Sequence, residues 1–333
     1  MKAIVAKRGS DAQDKDAFFL TEQSPPGPEA KDLLVRVIAI GMNPVDTKVR
    51  TRMDADRVLG WDAYGVVEKT GDSVTGFKAG DKIFYAGDIT RPGCNSEYQL
   101  VDHRIAALAP KNLSPEDAAA MPLTSITAWE GLFERLGFLP EAGANNGKSI
   151  LIIGGAGGVG SIAIQLACWA GLNVFASASR PETVEWCEKL GADTILNHRN
   201  DLYEELKETG TDSVDAIFCT TQMEKHWQAM AECIRPQGRI VLIDDPVKPV
   251  DITVFKFKSA TISWEFMYTR SMFETDDIAE QGKLLATVAD LLEEGTLVTT
   301  RQKTLKGLTP ENIQAMHIKQ ESGAMMGKQV LIL

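Results

Sequence analysis

Residues 149–167 read SILIIGGAGGVGSIAIQLA, which places an apolar strand, a glycine turn and an alanine-rich helix in immediate succession. That order is what a dinucleotide site requires. Gly155, Ala156, Gly157, Gly158, Val159 and Gly160 fit the spacing G-x-G-x-x-G, in which one glycine turns tightly, one admits the pyrophosphate and one packs helix on strand. The helix that follows points its first amide N–H groups at the phosphates. A glycine-rich loop alone is weak grounds for a nucleotide; a strand before it and a helix after it make this one specific.

Outward from that loop, residues 149–266 alternate β-branched runs with more polar helical stretches, the mark of βαβ units. The pattern predicts strands at 150–153, 173–176, 194–196, 215–218, 239–243 and 261–265, with helices near 158–170, 181–190, 201–208 and 224–234. Six strands make a complete doubly wound parallel Rossmann sheet in an α/β fold. Before residue 120 the texture changes to short strands at 33–40, 65–68, 82–85 and 97–101, punctuated by glycine, proline and aspartate, which reads as a partly barrel-like, β-rich domain. A helical stretch at 123–136 carries the chain between the two. Residues 276–293 are amphipathic, with Ile278, Leu285, Val288 and Leu292 on one face, and 328–333 read as a closing strand. The expected division is 1–123 for the β-rich domain, 124–267 for the nucleotide domain and 268–333 for a return to the first.

The chain has 333 residues, more than one hydrophobic core usually serves, and its 44% hydrophobic and 24% charged residues suit a globular protein. Its apolar runs are far too short for a membrane span, and residues 1–8 read as a first strand rather than a leader, so a cytoplasmic location is expected. A net charge of −11 with no long basic run argues against binding nucleic acid or an anionic membrane. The five cysteines are scattered without a C-x-x-C pair and read as reduced thiols.

Several motifs in order resemble the medium-chain dehydrogenase/reductase superfamily, in particular its quinone oxidoreductase branch and the group labelled zinc-type alcohol dehydrogenase-like. They are residues 41–46 (GMNPVD), 60–67 (GWDAYGVV), 80–83 (GDKI), 122–129 (PLTSITAW), the glycine loop, and 264–267 (WEFM). The resemblance covers nearly the whole chain and implies a GroES-like catalytic domain beside the Rossmann sheet. It also exposes a departure. Where the zinc alcohol dehydrogenases place a first cysteine this chain has Asn43, where they place a histidine it has Trp61, and their remaining cysteine falls near Leu123; tryptophan and leucine cannot ligate zinc. His103, His198, His226 and His317 lack metal-ligand spacing, so no metal is expected.

In this fold an acidic residue at the end of the second strand binds the ribose of NAD, whereas a basic one accommodates the extra phosphate of NADP. Residues 175–180 (FASASR) contain no carboxylate, and Ser179 with the planar donor fork of Arg180 suits a phosphate, which favours NADPH. The resemblance adds His198 as a second phosphate contact. It also implicates Thr127, Thr220, Ile243, Asp244, Phe266, Met267 and Lys328 around the cofactor.

Reduction of a quinone or a related α,β-unsaturated carbonyl fits a zinc-free site, because the conjugated acceptor spreads the incoming charge onto its own oxygen. The resemblance puts the acceptor between the domains, with Asn43 donating an amide hydrogen bond, Trp61 forming an apolar wall and Asp46 either orienting its neighbours or fixing a local turn. Asp62 is expected to make a buried hydrogen bond or ion pair, and Tyr64 and Tyr85 are alternative proton donors. Three other readings stay open: a 2-alkenal or enone reductase with little quinone activity, an NADPH-binding sensor without turnover, and a zinc enzyme with unconventional ligands. The resemblance further implies a homodimer formed through the strand near 261–266.

Overall fold

The computed structural model describes residues 1–333. It divides into two units, one made of Met1–Ile126 with Met267–Leu333 and the other of Thr127–Phe266.

In the nucleotide unit six strands form one sheet in the order Thr194–Leu196, Asn173–Ser177, Ser149–Ile153, Val214–Cys219, Ile234–Leu242 and Thr261–Trp264. Every neighbouring pair is parallel. This order reverses direction at the Ser149–Ile153 strand, and ligands bind such sheets at the carboxyl ends beside the reversal. The central strand has four fully or nearly fully buried residues after Ser149, as a strand covered by helices on both faces must. Leu151, Ile153, Phe175, Ile217, Ile240 and Leu242 form the core with Trp227, whose ring meets Phe255 edge-on at 5.0 Å. The Thr261–Trp264 strand lies at one edge of the sheet.

The expected helix at 123–136 is two structures in series. Pro122–Trp129 is α-helical, and Glu130–Arg135 widens into a π-helix. A Cβ on Gly131 would lie 2.5 Å from the Phe218 ring, so the wide turn comes very close to the sheet at a residue with no side chain.

The other unit is β-rich. A seven-stranded sheet is built around Asp32–Gly41, a ten-residue strand buried along almost its whole length. One edge of that strand is shared: its first half pairs with Tyr98–Asp102 and its second half with Lys328–Ile332. Ala63–Thr70 covers the opposite edge. Lys2–Ala6, Phe18–Glu22 and Arg57–Val58 form a second, smaller sheet, joined to the segment before Tyr98–Asp102 by an isolated Ala3–Ser96 bridge. The helix Glu280–Glu293 buries Leu285, Val288 and Leu292, three of the four residues of the expected apolar face, and Ile278 is buried just before it.

Candidate functional site

At the carboxyl end of Ser149–Ile153 the chain turns through Gly154 and enters the helix Gly158–Trp169. The tight turn is made by Gly154, whose φ of +85° is left-handed, and not by Gly155, the first glycine of the G-x-G-x-x-G pattern. A side chain at Gly154 would also strike Thr220 Oγ1, 2.5 Å from the added carbon. Gly155 faces the interior, where a Cβ would meet Ala176, Cys187 and Ile164 at 3.0–3.3 Å. Gly160 lets the helix approach the turn: its Cβ would lie 2.3 Å from the Gly154 carbonyl oxygen. Gly157 differs, since a Cβ there would meet nothing closer than that carbonyl at 3.4 Å. Its open side adjoins the unpaired N–H groups of the helix start, which makes a cradle for an anion.

Thr220 donates its hydroxyl to the Ile153 carbonyl at 2.8 Å and so braces the turn from the neighbouring strand. Asp244 accepts from the Gln222 amide at 3.1 Å, and Ile243 lies beside it, half-buried. Thr127 is buried, Phe266 is 46% exposed at the far edge of the sheet, and Met267 is buried in the other unit.

At the end of the second strand Ser177 Oγ accepts the Gly154 N–H at 2.9 Å and faces His198 Nδ1 at 3.3 Å. Ser179 and Arg180 follow, half-buried. Arg180 precedes the helix Pro181–Lys189 and sits 2.9 Å from Glu182, a largely exposed carboxylate that solvent screens. Lys225, one turn into Met223–Cys233, donates to the His198 carbonyl at 3.2 Å. Burial, then the charge on Lys225, with smaller effects of Arg199 and Arg180, holds the His198 imidazole below its ordinary pKa. Three cations therefore converge on this corner. Lys225 was not legible as a member of the cluster, because it comes from a helix that follows a different strand.

Asn43, Asp46, Trp61 and Lys328 gather in the β-rich unit around Asp62. Asn43 is fully buried, its Nδ2 donates to Asp62 Oδ2 at 3.1 Å and its Oδ1 accepts from Lys328 Nζ. The expected amide donor to an acceptor is thus engaged inside the protein. Asp46 takes the Asn43 backbone N–H at 2.7 Å and caps the helix Pro44–Arg52, the turn-fixing role. Burial pushes its carboxyl up to about 7, against the pull of the Asn43 N–H and Lys328. Trp61 is fully buried, donates to the Asp88 carbonyl at 3.0 Å and meets Tyr268 edge-on at 6.4 Å. Lys328, expected beside the cofactor, bonds Asp62 at 2.8 Å with its ammonium 3% exposed. Tyr64 and Tyr85 are buried, and desolvation raises both phenols, so they hold their protons.

Residues 29–111 match the alcohol dehydrogenase GroES-like domain and residues 158–281 match the zinc-binding dehydrogenase family. A zinc-type alcohol dehydrogenase-like protein of Staphylococcus aureus (strain MRSA252) is 43% identical over 99% of both chains. The chain belongs to the medium-chain dehydrogenase/reductase superfamily. Within that superfamily it is an oxidoreductase of the zinc-type alcohol dehydrogenase-like group. A solved structure from Rhizobium etli CFN 42, provisionally assigned to the zinc-dependent alcohol dehydrogenases, superposes with a TM-score of 0.94 and 44% identity, covering 100% of this chain and 98% of that one. The chloroplastic NADPH-dependent alkenal/one oxidoreductase of Arabidopsis thaliana is 34% identical over 67% of this chain and 58% of its own length.

The glycine loop and the cation corner have the space and charge that a nicotinamide cofactor would need: a Cβ at Gly157 would meet nothing closer than 3.4 Å, and Arg180, Arg199 and Lys225 outnumber the Glu182 carboxylate. The zinc in these family descriptions finds no such fit. Trp61 has its only donor spent on Asp88, Leu123 offers only a hydrocarbon side chain, and Asn43 and Asp62 hold an ammonium. No three His, Cys, Asp or Glu side chains gather into a metal-holding group.

Proposed function

We propose that this oxidoreductase uses NADPH to reduce quinones or related α,β-unsaturated carbonyls, independently of zinc. The observation that carries the reading is the corner formed by Ser177, Arg180, His198, Arg199 and Lys225, whose three cations outnumber the exposed Glu182 carboxylate and suit a ribose 2′-phosphate better than a bare ribose diol. Bound NADPH supplies a hydride. The chain's own residues bind and orient: the amides after Gly157 take the pyrophosphate, Gly160 and Thr220 hold the turn in shape, and Arg180 with His198 and Lys225 selects the phosphate. A conjugated acceptor stabilises its own developing charge and needs no Lewis acid, which suits a site whose polar groups Asn43 and Asp62 are engaged with Lys328. The alkenal/one oxidoreductase relative supports the narrower alternative, an enone reductase with little quinone activity.

The exposed Trp264 and Phe266 along the sheet edge support a homodimer through Thr261–Trp264. Five free thiols, four of them buried, support a reducing compartment such as the cytoplasm. No helix is long and apolar enough to cross a membrane.

The test follows NADPH and NADH absorbance, using metal-analysed protein, against quinones, 2-alkenals and simple alcohols. NADPH consumption by quinones or enones in zinc-free protein is expected. Alcohol oxidation that disappears with a chelator overturns the reading, and tight NADPH binding without turnover on any acceptor replaces it with a sensor.

A further inference from the structure

The buried end of Lys328 is surrounded by oxygen. Its Nζ donates to Asp62 Oδ2 at 2.8 Å and to Asn43 Oδ1, and Lys328, Asn43 and Asp62 are at most 3% exposed. The second Asp62 oxygen accepts the Leu123 N–H at 3.1 Å. Asp46, 1% exposed, stands close enough to feel the charges of both Lys328 and Asp62. Its Oδ2 accepts the Asn43 N–H at 2.7 Å, and the Gly60 backbone also helps hold its carboxylate. One carboxylate oxygen and a carboxamide oxygen therefore hold a single positive charge, with a second buried carboxylate, Asp46, near enough to feel it.

Removing two charges from water costs several kcal/mol per ion, and hydrophobic replacements of such pairs are often no less stable. Stability alone is a poor reason for this arrangement. An amide oxygen and a carboxylate oxygen converging on a buried cation are donors of the kind a hard cation takes. Here the cation is an ammonium delivered on a side chain, so it neither dissociates nor exchanges. It also joins four parts of the chain: the final strand, the start of Pro44–Arg52, the segment at Asp62 and, through Asp62, the start of Pro122–Trp129.

We propose that Lys328 is a built-in cation occupying an oxygen-lined site formed by Asn43 and Asp62, and that its ammonium takes the electrostatic part of a bound metal ion there while closing the site to metal. Lys328 is on this account a positioning residue that acts through Asn43 and Asp62. The assignment depends on neither the identity of the acceptor nor the preference for NADPH. Oxygen donors favour a hard ion such as Mn²⁺ over Zn²⁺ once the ammonium is removed, since the neighbouring Cys94 thiol is kept protonated by burial and is spent on the Asp62 backbone carbonyl at 3.5 Å.

The experiment titrates Mn²⁺ into metal-free protein and follows the electron paramagnetic resonance signal of the free ion. Wild type is expected to take up no stoichiometric Mn²⁺, Lys328→Ala to take up one equivalent, and Lys328→Ala/Asp62→Asn to lose it. Thermal unfolding gives a second readout: MnCl₂ raises the Tm of Lys328→Ala and leaves wild type unmoved. If Lys328→Ala does not fold in the absence of metal, refolding it with and without MnCl₂ replaces the titration, and recovery only with the ion supports the proposal. Stoichiometric uptake by wild type that Asp62→Asn abolishes overturns it. So does folded Lys328→Ala that binds no more Mn²⁺ than wild type, or an unfolded variant that the ion does not recover.

Discussion

Replacing Gly157 and Gly160 by alanine should separate nucleotide binding from folding within one loop. Gly157 has φ −71° and ψ 175°, which any residue adopts, and its new methyl would meet only the Gly154 carbonyl at 3.4 Å. Gly157→Ala therefore leaves folding unharmed, and the reduced freedom of the unfolded chain adds roughly 0.4–1 kcal/mol of stability. The methyl instead fills the open face beside the helix amides, so the NADPH Kd should rise by at least about tenfold, the loss of roughly 1.4 kcal/mol. At Gly160 the carbon would sit 2.3 Å from the Gly154 oxygen and 2.8 Å from Gly155 Cα, both backbone atoms that cannot rotate away. Overpacking of this kind costs about 1–3 kcal/mol. For a unit of this size that lowers Tm by about 4–12 °C. Differential scanning fluorimetry and a fluorescence titration with NADPH read the two quantities separately. Wild-type affinity in Gly157→Ala, or an unchanged Tm in Gly160→Ala, would refute the division of labour among the glycines.

Arg180→Ala and Lys225→Met should each weaken NADPH about tenfold or more, as expected for a lost charge-assisted bond, and leave NADH nearly unchanged; steady-state KM values for both cofactors at low salt decide this. Burial, with a smaller push from Arg50, lowers the His317 pKa from 6.5 to about 3, and neither ring nitrogen has a partner. Below pH 6.5 the unfolded chain therefore binds a proton that the folded one refuses, so stability falls as pH drops from 6.5 toward 3. His317→Leu should flatten that part of a urea-denaturation profile, and an unchanged slope would remove His317 as its source. Desolvation pushes the thiols of Cys168, Cys187, Cys219 and Cys233 up to about 12 and raises Cys94 further. Iodoacetamide at neutral pH should label none of the five in native protein and all of them in urea, as read by mass spectrometry.

The nucleotide sheet was legible because parallel strands buried on both faces leave continuous apolar runs, as in residues 150–153 and 216–219. Strands that pair mainly through the backbone leave no such trace. Arg301–Lys306 reads RQKTLK and has no fully buried residue, yet it pairs in parallel with Lys328–Ile332. The turn glycine was misplaced by one residue because the G-x-G-x-x-G spacing says nothing about which backbone is left-handed. The π-helix at Glu130–Arg135 was hidden because EGLFER is ordinary helical sequence and its widening reflects packing against the sheet. Asn43, Asp62 and Lys328 each stood out in the sequence. Their meeting did not, since Lys328 lies 266 residues beyond Asp62 and only the sheet register brings it there.

The seven-stranded sheet has a timing built into it. Lys328–Ile332 lies between Asp32–Gly41 and Arg301–Lys306, so a strand from the last few residues fills a slot between strands made earlier. The unit Thr127–Phe266 is contiguous and needs nothing from residues beyond it to close its own sheet. A growing chain can therefore finish the nucleotide unit while the β-rich one still has an open seam and Asp62 has no counter-charge. When the last strand zips in, it seals the backbone edge and delivers the ammonium in the same movement, so completion of the sheet and neutralisation of its buried acid are one event.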